Sequence, residues 1–512
     1  MTTTMTFKSL PFALSLCSLA LLSACSSQIS PKQEVREPEA ATGFTKKQKQ
    51  IADEYMIAAA NPYAVKAGKL MLEKGGSAID AAIATAAALT VCEPTSNGIG
   101  GDNFAIIYFN DKLIGMNSSG KSPALLSMDI LKQRGLTELP KFGFLPVTVP
   151  GVVKGWQELS DQYGKLSFKE VLAPAIKLAK DGYIASKTVV KNWKKASEIY
   201  SKTLNDPIFN AWQDTFGNVP NVGDLVTLKD HAKTLEEIAQ THGESFYKGR
   251  IADQIEAFSI KHDGLIRKSD LSAHQVKWVK PISTSYRGYE IYELPPNTQG
   301  IIGLMGLNIL ENHALSSCDS IDTYHYQIES TKLAFADGLN YIADPRFMNI
   351  KVDDLLSKSY AKDRYKNIKE HAELPACGDP KSSGTVYLAT ADKDGNMVSF
   401  IQSNYMGFGS GLVVPNTGIA LQNRGHNFSM DEKSVNYIGP NKKTYHTIIP
   451  GFITKDNMPI GPFGVMGGFM QPQGHMQVIS SLFDFKLNPQ EALDRPRFQW
   501  VKDNTIYVEP DL

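Results

Sequence analysis

Cysteine is scarce in this sequence, with five residues among 512. No two cysteines stand at the short spacing typical of a zinc site, and no His-Glu-x-x-His segment is present. Two of the five, Cys17 and Cys25, belong to an N-terminal leader, and the remaining three cannot build a framework of disulfides. We therefore expect neither a metal site nor a cofactor.

Net charge is also missing, because 53 Lys and Arg balance 53 Asp and Glu and the pI is about 7.1. Proteins that bind nucleic acid through its phosphates usually carry an excess of basic residues. Nucleic acid is therefore not an expected partner. Hydrophobic residues make up 42% of the chain and charged residues 21%, as in a globular protein with a packed core.

The apolar run at the N-terminus, residues 10–24, is too short to span a bilayer and follows a basic residue, Lys8. These features predict a signal peptide over residues 1–24. Residues 22–25 read Leu-Ser-Ala-Cys and resemble a bacterial lipoprotein signal, which implies lipidation of Cys25. The alternative is a plain secretory signal. Residues 25–45 then form a flexible tether, and we expect an exported protein, lipid-anchored on the periplasmic side of a bacterial membrane.

Hydrophobic periodicity predicts helices from residue 61 and over 78–91, followed by strands over 104–109 and 113–116. Residues 168–332 have a mainly helical pattern. An exposed connection over 367–384 leads into two β-rich runs, 385–391 and 397–401, separated by Asp394-Gly395. Asp-Gly between such runs predicts a hairpin. Strands near 448–454 and 460–465 and a helix over 473–483 follow.

Residues 115–122 match the phosphate-cradling pattern G-x-x-x-x-G-K-[ST]. That pattern requires a strand that leads directly into a helix, whereas the strand here is half of a hairpin. An exported chain also meets little nucleoside triphosphate. We interpret the match as coincidental.

Two further motifs are compatible with acyl transfer. Thr385 stands between the exposed connection and the hairpin, where it can simply be a β-branched residue at the start of a strand. If the chain is cut before it, the new α-amine can act as a base for the Thr385 hydroxyl. Gly467-Gly468 ends an apolar run, and paired glycines there can either form an ordinary turn or direct N–H groups toward an oxyanion.

Several short segments in order resemble the γ-glutamyltranspeptidase family of N-terminal-nucleophile (Ntn) hydrolases. The similarity extends over about residues 50–510. The matching segments are Gly-Gly-Ser-Ala-Ile-Asp-Ala-Ala (75–82), Glu-Pro (93–94), Gly-Ile-Gly-Gly (98–101), Val-Pro-Gly (149–151), Pro-Ala-Ile-Lys-Leu-Ala (174–179), Asp-Gly (181–182), Phe-Tyr-Lys-Gly (246–249) and Ala-Asp-Pro (343–345). The resemblance implies an α+β fold, an αββα four-layer sandwich, here with an extra mainly helical region.

The resemblance also implies roles for individual residues. Thr385 matches the nucleophile, with autocatalytic cleavage between Gly384 and Thr385. Ser403 matches a residue that orients the nucleophile, and Gly467 and Gly468 match the oxyanion-hole glycines. Cleavage would produce a large subunit (46–384) and a small subunit (385–512) that stay associated as a heterodimer.

The sequence departs from the family where the substrate binds. Ser119 stands at the position of a substrate-binding Arg, which leaves Lys121 as the nearby basic residue. Asn427 replaces an acidic residue that holds the substrate's amino group. Further replacements are Arg424, Tyr405 and the pair His446-Thr447. His446 is either a substrate contact or a structural histidine, and Asn427 is either a substrate contact or the cap of a turn. Such a pocket is expected to hold an anion and to bind an α-ammonium group poorly.

This pattern resembles the branch of the family that includes oxamate amidohydrolase and cephalosporin acylase. The first expectation is an autoprocessed γ-glutamyltransferase or glutathione hydrolase-like enzyme that transfers a γ-glutamyl or similar acyl group to water or an amine. The alternatives are an amidohydrolase for small anionic amides such as oxamate, and a catalytically silent lipoprotein that only binds such ligands.

Overall fold

The computed structural model describes residues 48–374 and 384–512. The predicted signal peptide, Cys25 and the tether lie outside these residues. Among the described helices, none is long and apolar enough to cross a membrane. The helices are α1 (Pro62–Glu73), α2 (Ala78–Cys92), α3 (Met128–Gln133), α4 (Val152–Tyr163), α5 (Phe168–Asp181), α6 (Lys187–Thr203), α7 (Asn210–Phe216), α8 (Lys229–Gln240), α9 (Glu244–Tyr247), α10 (Arg250–Lys261), α11 (Lys268–Ser272), α12 (Gly300–Leu310), α13 (Ile321–Tyr341), α14 (Val352–Leu356), α15 (Lys358–Tyr365), α16 (Met470–Phe483) and α17 (Pro489–Asp494).

The strands form two main sheets and three short pairs. They are β1 (Met56–Ala59), β2 (Asp102–Phe109), β3 (Lys112–Ser118), β4 (Tyr183–Ile184), β5 (Leu225–Val226), β6 (Lys277–Val279), β7 (Ile282–Tyr286), β8 (Tyr289–Glu293), β9 (Gly384–Ala391), β10 (Met397–Tyr405), β11 (Val413–Val414), β12 (Ile419–Ala420), β13 (Gly451–Lys455), β14 (Met458–Phe463), β15 (Phe498–Lys502) and β16 (Thr505–Val508).

The larger sheet contains six antiparallel strands in the order β1-β9-β10-β2-β3-β6. The predicted hairpins β2–β3 and β9–β10 both form. Although residues 119–383 separate them in the chain, they lie side by side, with Phe400 opposite Ala105. The larger sheet is therefore built from both ends of the described chain.

The smaller sheet has the order β14-β13-β8-β7. Its β7–β8 hairpin lies inside residues 168–332, where the sequence pattern indicated mainly helix. Arg287 and Gly288 both adopt positive φ, 49° and 84°, as in a two-residue hairpin turn. The available signal for this strand was its content of β-branched and aromatic residues, namely Ile282, Thr284 and Tyr286.

Buried side chains divide the structure into four layers. Phe104 and Ile401 of the larger sheet pack against Phe452 of the smaller one. On the outer face of the larger sheet lies α2, in which every residue is buried; its many alanines allow close packing. On the outer face of the smaller sheet, Leu304 of α12 and residues of α16 form another core. The order helix, sheet, sheet, helix agrees with the predicted αββα sandwich, and α5–α11 form the extra helical region.

Candidate active site

The predicted site residues gather at one end of the larger sheet. Neighbouring strands run antiparallel, so β9 and β2 begin at the end where β10 and β3 finish. Gly384 lies opposite Tyr405 in β10. Ser403, two residues earlier in β10, lies opposite Asp102 in β2. Pairing thus brings together residues from four separate parts of the sequence.

Thr385 is the second residue of β9, and 4% of its surface is exposed. Its Oγ1 accepts a hydrogen bond of 3.4 Å from Nε2 of Gln471, in the first turn of α16. The other end of that amide, Oε1, accepts the Ile449 N–H at 2.9 Å. Sequence reasoning missed Gln471, because only the fold brings α16 beside the start of β9.

Gly467 and Gly468 form the loop that leads into α16. Their φ angles are 110° and 59°, values that favour glycine. Their carbonyls accept the N–H groups of Met470 and Gln471 at 3.0 and 3.1 Å. Within the described part of the chain, neither glycine's own N–H donates a hydrogen bond. The loop therefore offers two N–H groups of the kind that stabilise an oxyanion.

Gln299, immediately before α12, holds this loop against the segment that carries His446 and Thr447. Its Nε2 donates to the Gly468 carbonyl at 2.8 Å and to the Thr447 carbonyl at 2.5 Å. Its Oε1 accepts the Tyr445 hydroxyl at 2.8 Å. Gln299 is a second residue that sequence reasoning missed.

Arg424 is the central cation of the predicted substrate pocket and is 1% exposed. Its guanidinium donates to Thr447 Oγ1 at 2.6 Å and to Ser403 Oγ at 3.4 Å, and it lies 4.3 Å from the centre of the Tyr405 ring. Burial lowers the pKa of Arg424 to about 10, so the group remains charged at neutral pH. Three predicted residues are thus in direct contact with one buried cation.

Tyr405 and Asn427 form the opposite side of this group. The Tyr405 hydroxyl donates to Asn427 Oδ1 at 2.5 Å, and Asn427 Nδ2 donates to the Tyr445 carbonyl at 3.1 Å. Burial raises the pKa of Tyr405 to about 12, so it stays a neutral donor. Asn427 therefore links the end of β10 to the segment before His446, rather than only capping a turn.

His446 makes the contacts of a structural histidine. Its Nε2 lies 3.1 Å from Asp102 Oδ2, and its Nδ1 accepts the Ile448 N–H at 3.4 Å. The ring also packs edge-on against Phe104. Burial, with Arg424 nearby, holds the pKa of His446 well below its usual range. The imidazole is therefore neutral and donates to Asp102.

Asp102 was not singled out from the sequence, although it joins much of the site. Its Oδ1 accepts the N–H groups of Gly120 and Gly151 at 3.1 and 3.2 Å. Burial raises the pKa of Asp102 to about 6, and Arg424 acts in the opposite direction. The carboxylate is thus the counter-charge to the buried cations around it.

Lys443 places a charge beside Ser119, where the family pattern has Arg. Its Nζ donates to the Ser119 carbonyl at 2.5 Å and to Ser119 Oγ and Asn117 Oδ1, both at 3.1 Å. The side chain is buried, and burial lowers its pKa to about 7. The sequence motif around Ser119 could not reveal Lys443, because Lys443 lies more than 300 residues further along the chain.

Lys121 lies apart from the Arg424 group. It lines a separate cleft with Lys277 and Lys443, at the end of β3. The predicted substrate residues therefore divide into two sets, of which one surrounds Arg424 and the other contains Lys121.

The nucleotide-binding pattern over residues 115–122 does not form a phosphate cradle. Gly115 lies within β3, the next helix along the chain begins only at Met128, and the Gly120 N–H is bonded to Asp102. The Ser122 hydroxyl donates to the Gly439 carbonyl. In the described ranges, no group of three or more His, Cys, Asp or Glu is arranged to hold a metal ion.

The chain is similar to known proteins over most of its length. The family model described as gamma-glutamyltranspeptidase matches residues 64–512. The chain is 37% identical to the glutathione hydrolase-like YwrD proenzyme of Bacillus subtilis (strain 168), over 88% of this chain and 86% of that protein. It is 31% identical to the oxamate amidohydrolase proenzyme of Klebsiella pneumoniae, over 88% and 85%. The crystal structure of cephalosporin acylase from Bacillus halodurans superimposes with a TM-score of 0.89 and 52% identity, covering 93% of this chain and 89% of that one.

Proposed function

The chain belongs to the gamma-glutamyltranspeptidase family and is an acyltransferase or amide hydrolase of that family. From this premise we propose that Thr385 is its nucleophile. The family and the fold predicted from sequence are confirmed by these comparisons. We further propose autocatalytic cleavage before Thr385, as in relatives described as proenzymes.

The single observation that supports this proposal is the position of the Thr385 hydroxyl. It lies at the buried start of a central strand and accepts a hydrogen bond from Gln471, the residue whose N–H bonds to Gly468. In cleavage, Oγ1 would attack the Gly384 carbonyl, the Gly384–Thr385 C–N bond would break, and water would hydrolyse the resulting ester. The freed α-amine, with an ordinary pKa of about 8, would then accept the hydroxyl proton during attack on a substrate amide.

Gly467 and Gly468 would stabilise the tetrahedral oxyanion through their N–H groups, and Ser403 would help to orient the nucleophile. Loss of the leaving amine produces an acyl-enzyme ester on Thr385. Water or a second amine then releases the acyl group, so hydrolysis and transfer share one intermediate.

For the acyl donor, we propose a γ-glutamyl or similar group with an acidic end near Arg424. Asn427 and Tyr405 offer polar atoms on the same side, whereas a carboxylate partner for an α-ammonium group is replaced by the neutral Asn427. This replacement favours a second candidate, a small anionic amide such as oxamate. The residues that would contact the donor are Arg424, Tyr405, Asn427 and Thr447. His446, which donates to Asp102, would have a structural role beside them.

The proposal is tested by the intact mass, under denaturing conditions, of a protein that begins at Ser26, beside its Thr385→Ala variant. The expected result is two fragments, with Thr385 as a new N-terminus, and one uncut chain for the variant. An uncut wild-type chain would contradict both the cleavage and the nucleophile, and would favour a silent binding protein.

The two donor classes are separated by measuring turnover of a γ-glutamyl anilide and of oxamate by the processed enzyme. Faster release from the anilide supports a γ-glutamyltransferase or glutathione hydrolase-like activity. Turnover of oxamate but not of the anilide supports an amidohydrolase for small anionic amides. Arg424→Lys should raise KM for either anionic donor, because Lys lacks the two-pronged grip of Arg on a carboxylate.

We also propose that the protein is exported and lipid-anchored through Cys25. The support is the N-terminal sequence alone. Membrane fractionation of the full chain beside Cys25→Ala tests this proposal, because loss of the anchor should release the variant into the soluble fraction. Equal membrane association of both proteins would contradict it.

A further inference from the structure

A second basic site lies between the end of β3 and the start of β6. We call it the lysine cleft; its volume is about 120 Å³. At roughly 30 Å³ per water molecule, it has room for about four waters, which suits a small anion. The residues that matter to its charge are Lys121, Lys277, Lys443, His274 and Asp270.

Positive charge in the lysine cleft exceeds its negative charge. The cleft is lined by three lysines and by one carboxylate, Asp270. The Oδ1 and Oδ2 of Asp270 already accept the N–H groups of Ala124 and Arg267, at 2.9 and 2.8 Å. Burial lowers the pKa of His274 to about 3, so that ring is neutral. The cleft therefore lacks a matching set of carboxylates of its own.

Two other carboxylates near Lys443 are already engaged. Asp344 is paired with Arg346 at 2.7 Å and also accepts the Lys443 backbone N–H. Asp102 lies 3.1 Å from His446 and accepts two glycine N–H groups, and its charge also acts on Lys443. Among the described residues, neither carboxylate forms an ion pair with Lys121 or Lys277.

The three lysines differ in their surroundings. Lys277 is exposed and Lys121 is half-buried, and neither forms an ion pair within the described residues. Lys443 is buried beneath them with its Nζ held by Ser119 and Asn117. The amines of Lys121 and Lys277 are therefore available to a ligand. The amine of Lys443 is held in place and is about half protonated at neutral pH, because burial lowers its pKa to about 7.

Strand spacing separates this cleft from Thr385. Lys121 follows β3, three strands from β9, and Lys277 lies in β6, four strands from it. With neighbouring strands about 4.8 Å apart, the separations are about 15 and 19 Å. A small acyl group on Thr385 does not extend so far, so the lysine cleft is a different site from the Arg424 group.

We propose that the lysine cleft binds a small, doubly charged oxyanion group. Such a group neutralises the excess charge, fits the volume and can accept hydrogen bonds from both Lys121 and Lys277. Its source is either a free anion such as sulfate or phosphate, or an acidic group at the far end of an extended substrate. The substrate source rests on the proposed function, whereas anion binding itself does not.

The test is calorimetric titration with sulfate, at constant ionic strength, of the Thr385→Ala variant. This variant excludes turnover from the measurement, so failure here is distinct from failure of the proposed function. We expect saturable binding that Lys277→Glu weakens by about tenfold or more, because a repulsive charge replaces an attractive one. Lys280→Glu, an exposed residue just after β6 that does not line the cleft, is the matched control.

Absence of saturable sulfate binding would overturn the proposal. Equal weakening by Lys277→Glu and Lys280→Glu would also overturn it, since a diffuse surface field would then explain the effect. Lys277→Gln removes the charge without reversing it, and an intermediate affinity would support the site. Unchanged thermal unfolding of each variant establishes that folding is intact.

The two sources are distinguished in the processed enzyme with two γ-glutamyl peptides of about five residues, long enough to reach 15 Å. One peptide ends in Glu and the other in Gln. If the substrate occupies the cleft, sulfate competes with the Glu peptide and Lys277→Glu raises KM for that peptide more than for the Gln peptide. If the ligand is a free anion, sulfate and Lys277→Glu affect both peptides equally.

Discussion

A single amide group determines which hydrogen-bonding atom faces the Thr385 hydroxyl. Because the Ile449 N–H occupies Oε1 of Gln471, the amide presents Nε2 to Thr385 Oγ1. A donor there can stabilise negative charge that develops on Oγ1 when it leaves an ester. Gln471 is therefore a positioning residue for both cleavage and deacylation in the proposed mechanism.

Gln471→Glu keeps the size of the side chain but replaces the donor with an acceptor. We expect slower cleavage before Thr385 and a kcat lower by on the order of a hundredfold to a thousandfold, as when one stabilising donor is lost. Intact mass over time and initial rates measure the two effects. The control variant Gln162→Glu, on an exposed surface, should change neither the cleavage rate nor kcat. Wild-type rates of cleavage and turnover in Gln471→Glu would contradict the proposed role of Gln471.

Glu93, just after α2, makes stability depend on pH. It is buried and accepts a hydrogen bond from Asn61, and burial raises its pKa from 4.5 to about 7. The folded protein thus holds this proton more tightly than the unfolded chain does. The stabilising effect is complete below about pH 4.5 and is lost as the pH rises through 7.

Glu93→Gln should remove this pH dependence. The pKa shift corresponds to about 3 kcal/mol of unfolding free energy. The difference in unfolding free energy between the variant and wild type should therefore change by about this amount in favour of the variant as the pH rises from 4.5 to 7.5. Urea unfolding of both proteins in the uncleaved Thr385→Ala background measures the difference. A constant difference across this pH range would show that the carboxyl has an ordinary pKa.

At the scale of elements, the turn of the β9–β10 hairpin anchors the sheet to the helical layer. Asp392 Oδ1 accepts the N–H groups of Asp394 and Asn396, both at 3.0 Å. Its Oδ2 accepts the Ala78 N–H at 2.8 Å, at the N-terminus of α2. One carboxylate therefore shapes the turn and complements the positive end of a buried helix.

Asp392→Ala should destabilise the protein by about 2 kcal/mol, because buried N–H groups lose their acceptor. Asp394→Ala, in the same turn, removes only an exposed ion pair with Lys165 and should cost less than about 1 kcal/mol. Urea unfolding in the uncleaved background compares them. Equal losses would mean that the contact with α2 contributes little.

At the scale of the whole molecule, the site depends on strands from opposite parts of the chain. Strands β9 and β10 lie between β1 on one side and β2 on the other. After cleavage before Thr385, the proposed small subunit would still supply two inner strands of a sheet whose other strands belong to the large subunit. The αββα core would then hold the subunits together without a covalent bond.

Both fragments should therefore elute together from a sizing column at the volume of the uncut Thr385→Ala variant. Denaturant should separate them, because it exposes the shared sheet. Elution as two species without denaturant would contradict the shared-sheet arrangement as the basis of association.

Local sequence was sufficient for the elements that are specified by nearby residues. The Asp-Gly turn at 394–395 predicted the β9–β10 hairpin, and the alanine-rich run predicted α2. The β7–β8 hairpin was missed inside a region interpreted as mainly helical, because its short strands alternate weakly. The family and the αββα fold could be inferred because many short segments match in order.

The sequence by itself determined the candidate nucleophile, the paired glycines and the neutral Asn427, since each follows from residue type and position in a motif. Only the tertiary structure placed Gln471 on Thr385, Lys443 beside Ser119 and the lysine cleft away from Arg424. These contacts join residues from 86 to more than 300 positions apart. Strand pairing and helix packing create such neighbours, and no local pattern encodes them.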